Sequence, residues 1–147
     1  MPVPANTPTP DEVAADPIGI DHVLSADERA VRDRVRAFVD ADLRPNLADW
    51  YETAHLPREL LPAFGELGVL GMMLTGDRLP GRTAVEYGLA AAELEAGDSG
   101  LRTVVSVQGS LAMTAIHAFG SDDQKAQYLP GMAAGRIIGC FGLTEPN

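Results

Sequence analysis

The stretch LRTVVSVQGSLAMTAIHAF, Leu101 to Phe119, points to a helical protein. Its apolar residues Leu101, Val104, Val105, Val107, Leu111, Met113, Ile116 and Phe119 recur at helical intervals and surround nearly the whole helix. A helix covered in this way is buried on most sides, so the stretch predicts a central helix in a helical core. Gly120 closes it. Ser121-Asp122-Asp123-Gln124 then has the spacing of a capping box, a hydroxyl at the N-cap and an amide three residues on, and starts a helix through Ala134. Pro130 should end or kink that helix late, and Gly135 follows its end.

Towards the N-terminus, Val85, Leu89, Ala92, Leu94 and Ala96 give the segment Thr83 to Ala96 a helical pattern, interrupted by Gly97 and Gly100. Gly76 to Gly81, with Pro80 inside, reads as a turn-rich loop. Leu56-Pro57-Arg58-Glu59 places a proline at the first turn of an earlier helix carrying Leu60, Leu61, Phe64, Leu67 and Leu70, which Gly68 and Gly71 end. The glycines at 65, 68 and 71 follow no strand and lie in a helical period, which argues against a dinucleotide fingerprint. Ser25-Ala26-Asp27-Glu28 is another capping box and opens a helix with Val31, Val35, Phe38 and Val39 on one face, ending near Arg44-Pro45. Arg29, Arg32, Arg34 and Arg36, mixed with Asp27, Glu28 and Asp33, read as a solvated face laced with ion pairs.

These segments predict five or six helices packed as an irregular bundle over residues 25–135. Residues 1–24 read as a disordered or extended arm, because Pro2 to Pro17 contains five prolines among polar residues and can bury little apolar surface. Arg136 to Thr144 changes to a β-like composition, the only good strand candidate. A lone strand has no partner for its backbone groups, so residues 136–147 are read as the start of a sheet domain outside this chain.

The 147 residues suit one domain. A composition 46% hydrophobic but only 5% aromatic favours helices of small and aliphatic side chains over a β-sandwich. A formal charge of −10 repels phosphate backbones and anionic lipid, which argues against nucleic-acid binding. No apolar run approaches the roughly 20 residues of a membrane span, and no signal peptide is visible. The single cysteine, Cys140, excludes an internal disulfide and suits a reducing cytoplasm. Its apolar surroundings predict a buried, inert thiol rather than a nucleophile.

His22, His55 and His117 are too far apart in sequence to suggest a metal site, and no hydrolytic elbow or phosphate loop is present. Arg102 is different. It starts the apolar helix and shares a face with Ser106 and Gly109, whose small groups leave room beside the guanidinium. An arginine in such surroundings needs a partner, and its planar fork suits a carboxylate. That carboxylate is either Glu95 or Asp98, in a structural ion pair, or a ligand's.

The run Glu93-Leu94-Glu95, Asp98-Ser99-Gly100-Leu101-Arg102-Thr103 and Ser106-Val107-Gln108-Gly109-Ser110-Leu111 resembles the glutaryl-CoA dehydrogenases. Phe119-Gly120-Ser121-Asp122-Asp123-Gln124-Lys125 with Tyr128-Leu129-Pro130 is similar to the helix that acyl-CoA dehydrogenases place before their middle β-domain. Cys140-Phe141-Gly142-Leu143-Thr144-Glu145-Pro146-Asn147 is similar to their flavin-contacting signature, and Glu66 to Gly71 also fits. The resemblance covers about residues 25–147. It implies the all-α N-terminal domain of that fold, ending in the first strand of the middle domain, with FAD as cofactor and an acyl-CoA substrate. It further implies α-proton removal by a glutamate, hydride transfer to the flavin, decarboxylation to crotonyl-CoA, an electron-transfer flavoprotein as acceptor and a homotetramer. Carried residue by residue, it assigns flavin contact to Phe141, Leu143 and Thr144. Arg102 would bind the distal carboxylate of the acyl group, with Glu95, Thr103 and Ser106 around it. The catalytic base would lie beyond Asn147. The loop Gly76-Asp77-Arg78-Leu79-Pro80-Gly81 departs from the family pattern, in which an aromatic stands between glycines. Two rival readings remain, a dehydrogenase for another short or dicarboxylic acyl group and a non-catalytic module binding a partner through the exposed face of Leu101 to Phe119.

Overall fold

A computed structural model describes residues 16–76 and 78–144. Both capping boxes form as reciprocal pairs. The Glu28 amide donates to Ser25 Oγ at 3.3 Å and Ser25 N donates to Glu28 Oε2 at 2.7 Å, opening α1, Ala26–Phe38. The Gln124 amide and side chain do the same with Ser121, opening α7, Asp122–Ala133. Between them lie α2 (Leu47–Glu52), α3 (Leu60–Leu67), α4 (Ala84–Gly97), α5 (Ser99–Ser106) and α6 (Thr114–Phe119). A third reciprocal box, Thr83 with Glu86, opens α4. The sequence reading missed it although the spacing is the same.

The apolar residues of α1 and its continuation, Val31, Val35, Val39 and Leu43, are spaced by four, slightly more than the 3.6 residues of an α-turn. A wider π-helical turn at Val39–Leu43 keeps the last of them on the buried side. This stripe lies on Ala90 and Leu94 of α4 and shares one core with Leu60 and Phe64 of α3, Val69, Leu70 and Met72 of the following turn, and Leu101 and Val105 of α5. Phe38 and Phe64 meet edge to face at 5.8 Å, joining α1 to α3. The arginines of α1 are more specific than a solvated face. Arg36 grips Glu93 of α4 with two bonds of 3.0 and 2.7 Å, and Arg32 pairs with Asp21 and Asp33.

Ser99 to Phe119 is one continuous helical run, as expected, and counting it once gives six helices among the described residues. Its interior differs from a simple helix, because Val107–Met113 is π-helical. It also buries one stripe rather than most of its circumference. Leu101, Val105, Gln108, Gly109, Ala112 and Met113 face inward, while Leu111 is exposed and Phe119 is 90% exposed. Its neighbours among the described residues include α4 near its start, α3 and the 69–72 turn along its inner stripe, and α7 near its end. There Ala112 and Met113 meet Leu129 and Met132 in a second, smaller core.

Arg136 to Thr144, read as the start of a sheet whose partners lie outside these residues, pairs with no described segment and takes no strand form here. Two further readings are corrected. Cys140 is exposed, because the run that carries it lies on the surface. Residues 16–24, the described end of the expected arm, are organised: Asp16 accepts the amides of Ile20 and Asp21 at 2.9 and 2.8 Å, a short 3-10 turn spans Ile20–His22, and Leu24 is buried. These bonds, that of Asp21 first, hold the Asp16 carboxyl below its ordinary value. Residues 1–15 of the expected arm lie outside the described residues, as do residues 145–147. No helix among the described residues is long and apolar enough to cross a membrane.

Candidate functional site

Arg102 projects from the second turn of α5, whose N-terminus Asp98 caps by accepting the Leu101 amide at 2.7 Å. That bond uses Asp98 as a cap, and the guanidinium turns to the other candidate. Arg102 Nε donates to Glu95 Oε2 at 2.6 Å, bridging from α5 to the last turn of α4. The Nη1 group leans towards Ser106 Oγ at 3.5 Å. Arg102 and Glu95 side chains remain 35% and 49% exposed, so the pair sits at a rim and not in the core. With Nε on Glu95 and one Nη1 hydrogen towards Ser106, the other Nη1 hydrogen and Nη2 form an outer edge that suits a second carboxylate.

The structure therefore brings Arg102, Glu95 and Ser106 together. Thr103 is not part of that set, because its hydroxyl donates to the Ser99 carbonyl at 2.8 Å on its own helix. Tyr87, which the sequence reading passed over, joins instead. Its hydroxyl lies 3.3 Å from Ser106 Oγ and 3.1 Å from Ser110 Oγ, tying α4 to two turns of the Ser99–Phe119 run. Ser106 is thus shared between a phenol and a guanidinium.

Phe141, Leu143 and Thr144 lie on an exposed strap that follows α7. The chain leaves α7 through Gly135 at φ +69°, where a Cβ would lie 2.0 Å from the Leu61 carbonyl oxygen of α3. Arg136 and Ile137 then donate to the Gly131 carbonyl at 2.9 and 3.1 Å. The next fixed point is a side chain the sequence reading left unused. Gln108, only 2% exposed, donates through Nε2 to the carbonyls of Met132 (3.1 Å) and Ile137 (2.8 Å) and accepts the Gly139 amide on Oε1 at 2.8 Å. The signal was available: Gln108 is a polar residue in a stripe otherwise made by Leu101, Val105 and Ala112. Beyond Gly139, among the described residues, no backbone partner engages the N–H groups of Cys140 to Thr144.

A cleft of about 440 Å³ lies between the Gly76–Gly81 loop and α7, lined by Thr75, Arg78, Leu79, His117, Lys125 and Leu129. His117 Nε2 is already engaged by the Thr75 carbonyl at 2.7 Å. A smaller apolar groove between α3 and α5 is closed at one side by Ile138 of the strap. No three His, Cys, Asp or Glu side chains converge among the described residues.

Residues 25–136 match the family described as acyl-CoA dehydrogenase, N-terminal domain, and the chain belongs to that family. A glutaryl-CoA dehydrogenase structure from Mycobacterium smegmatis is 63% identical with a TM-score of 0.86, covering 91% of this chain and 35% of that one. A second such structure from the same organism, in complex with FADH2, gives 56% identity and a TM-score of 0.86 over 89% of this chain and 34% of that one. The short-chain specific acyl-CoA dehydrogenase of Clostridium acetobutylicum is 31% identical over 87% of this chain and 34% of its own length. The chain thus spans about a third of the length of these relatives.

Proposed function

We propose that this chain is the N-terminal helical domain of an FAD-dependent acyl-CoA dehydrogenase acting on glutaryl-CoA, working with middle and C-terminal domains in a homotetramer. The observation that carries the reading is the Arg102 guanidinium, held by Glu95 at 2.6 Å with its outer edge open above Ser106. A fixed cation beside a hydroxyl recognises a terminal carboxylate and leaves a monocarboxylic acyl chain without a partner. Thr103, directed back to its own helix, serves at most as packing beside Arg102. The identity to glutaryl-CoA dehydrogenases supports this assignment above that of a dehydrogenase for an uncharged short acyl group.

The strap fits a flavin by the chemistry of its donors: consecutive N–H groups that find no backbone partner among the described residues, and the exposed Thr144 hydroxyl, suit the acceptor-rich edge of an isoalloxazine ring, beside the exposed Phe141 and Leu143 side chains. Donors set in place before charge develops there stabilise the reduced ring without further reorganisation. Bound FAD supplies the two-electron acceptor for acyl dehydrogenation, and an electron-transfer flavoprotein would reoxidise it. Arg102 anchors the distal end of the acyl group, so that its α and β carbons are placed by the length of the chain between anchor and thioester. The proton-abstracting base is supplied from outside these residues. Steady-state turnover by the full-length enzyme tests the assignment. Glutaryl-CoA should be turned over with release of carbon dioxide, in preference to butyryl-CoA; preference for butyryl-CoA would replace the assignment with a short-chain one.

A further inference from the structure

Among the described residues, Gln108 is the one buried side-chain amide that joins the helix carrying Arg102 and Ser106 to the strap carrying Phe141, Leu143 and Thr144. We propose that it is a positioning residue for the flavin. Its three hydrogen bonds fix the strap at Ile137 and Gly139, so that the N–H groups of the next residues are set in place before any cofactor arrives. The proposal rests on the reading of residues 141–144 as flavin contacts.

Geometry supports this role. All the hydrogen-bonding groups of the Gln108 amide are used: both Nε2 hydrogens go to carbonyls of residues 132 and 137, and Oε1 takes the Gly139 amide. A buried amide is costly unless its partners are met, and here all the partners lie 24 to 31 residues away, on the end of α7 and the strap. The strap is pressed close at this point. A Cβ on Gly139 would lie 2.6 Å from both Ala112 Cβ and Met132 Cε, so only a glycine lets the backbone reach the Gln108 carbonyl oxygen. The first open donor, at Cys140, is one residue past the clamp, and Thr144 is five past it. A segment held at its root loses less conformational freedom on binding than a free one, and the saving appears as affinity.

The test compares wild-type full-length enzyme with Gln108→Met, which keeps the volume and removes all three bonds. Titration of the apoprotein with FAD should show a dissociation constant raised about ten- to a hundredfold, or about 1.4–2.8 kcal/mol at about 1.4 kcal/mol per decade. The visible spectrum of the bound flavin should shift with its altered hydrogen bonding, while the far-ultraviolet circular dichroism of the variant stays helical. Unchanged FAD affinity and spectrum, whatever the loss in melting temperature, would overturn the proposal and leave Gln108 as a closure of α7. Should Gln108→Met not fold, Gly139→Ala displaces the same contact from the strap side, and the same two outcomes apply to it. A wild-type enzyme that takes up no FAD would remove the flavin reading itself, and this proposal with it.

Discussion

Replacing Gly135 by alanine tests how the bundle fixes the strap's point of departure. The residue sits at φ +69°, a region that costs an L-residue about 1–2 kcal/mol. Its new Cβ would also lie 2.0 Å from the carbonyl oxygen and 2.3 Å from the carbonyl carbon of Leu61, backbone atoms of α3 that cannot rotate away. Overpacking of this kind adds about 1–3 kcal/mol. The expected destabilisation is therefore about 2–5 kcal/mol, which for a domain of this size lowers Tm by roughly 4–20 °C. Gly68 provides the control, since its φ is +79° but a methyl group there would meet nothing within 4 Å. Gly68→Ala should cost only the conformational part, about 1–2 kcal/mol. Urea denaturation of both variants measures the difference, and equal losses would refute the close approach of the strap root to α3.

Glu86 should dominate part of the acid response. Its bond from the Thr83 amide, opposed by burial but aided by the Thr83 hydroxyl and Arg82, holds the carboxyl below its ordinary value of 4.5. A depressed folded value contributes stability that is present above the unfolded pKa and lost as pH falls through the folded one. Glu86→Gln should therefore flatten the loss of stability below about pH 4.5 while costing about 0.5–2 kcal/mol at pH 7 through the weakened cap; an unchanged acid limb in pH-dependent urea melts would contradict this. If residues 141–144 are flavin contacts as proposed, the 147-residue chain by itself should hold FAD weakly and dehydrogenate no acyl-CoA, because these residues would form only one edge of the site. Flavin copurifying at near one per chain, with dye reduction on adding glutaryl-CoA, would defeat that expectation.

The parts of the fold legible in the sequence are those written in local spacing. The Ser25 and Ser121 boxes are contacts three residues apart, and the helical periods of 31–39, 60–67 and 101–119 needed no knowledge of partners. The π-helical turn at Val107–Met113 was not legible, because apolar spacing alone does not distinguish an i→i+5 turn from an α-turn. Likewise, Arg136 to Thr144 has a strand's composition but no ladder, and composition does not supply a partner. At the site, the Arg102–Glu95 pair was readable as one of two alternatives seven and four residues away. Asp98 was the wrong one because it is spent on the α5 cap. The partners of Tyr87 and Gln108 lie 19 to 31 residues away in sequence, beyond any local pattern, although the polar break in the Leu101–Val105–Ala112 stripe marked Gln108 itself.

The substrate selectivity of Arg102→Leu in the full-length enzyme decides whether the rim arginine reads the acyl group. Truncating one partner of a hydrogen-bonded charge pair costs about 2–5 kcal/mol, and the partial exposure of Arg102 places the effect in the lower part of that range. A loss of about 2–4 kcal/mol is roughly one and a half to three orders of magnitude in kcat/KM at about 1.36 kcal/mol per decade. That loss is expected for glutaryl-CoA, with butyryl-CoA turnover kept or improved, and only partial recovery in Arg102→Lys because a point charge lacks the fork. Equal loss on both substrates would overturn the glutaryl assignment and make Arg102 a structural brace between α4 and α5.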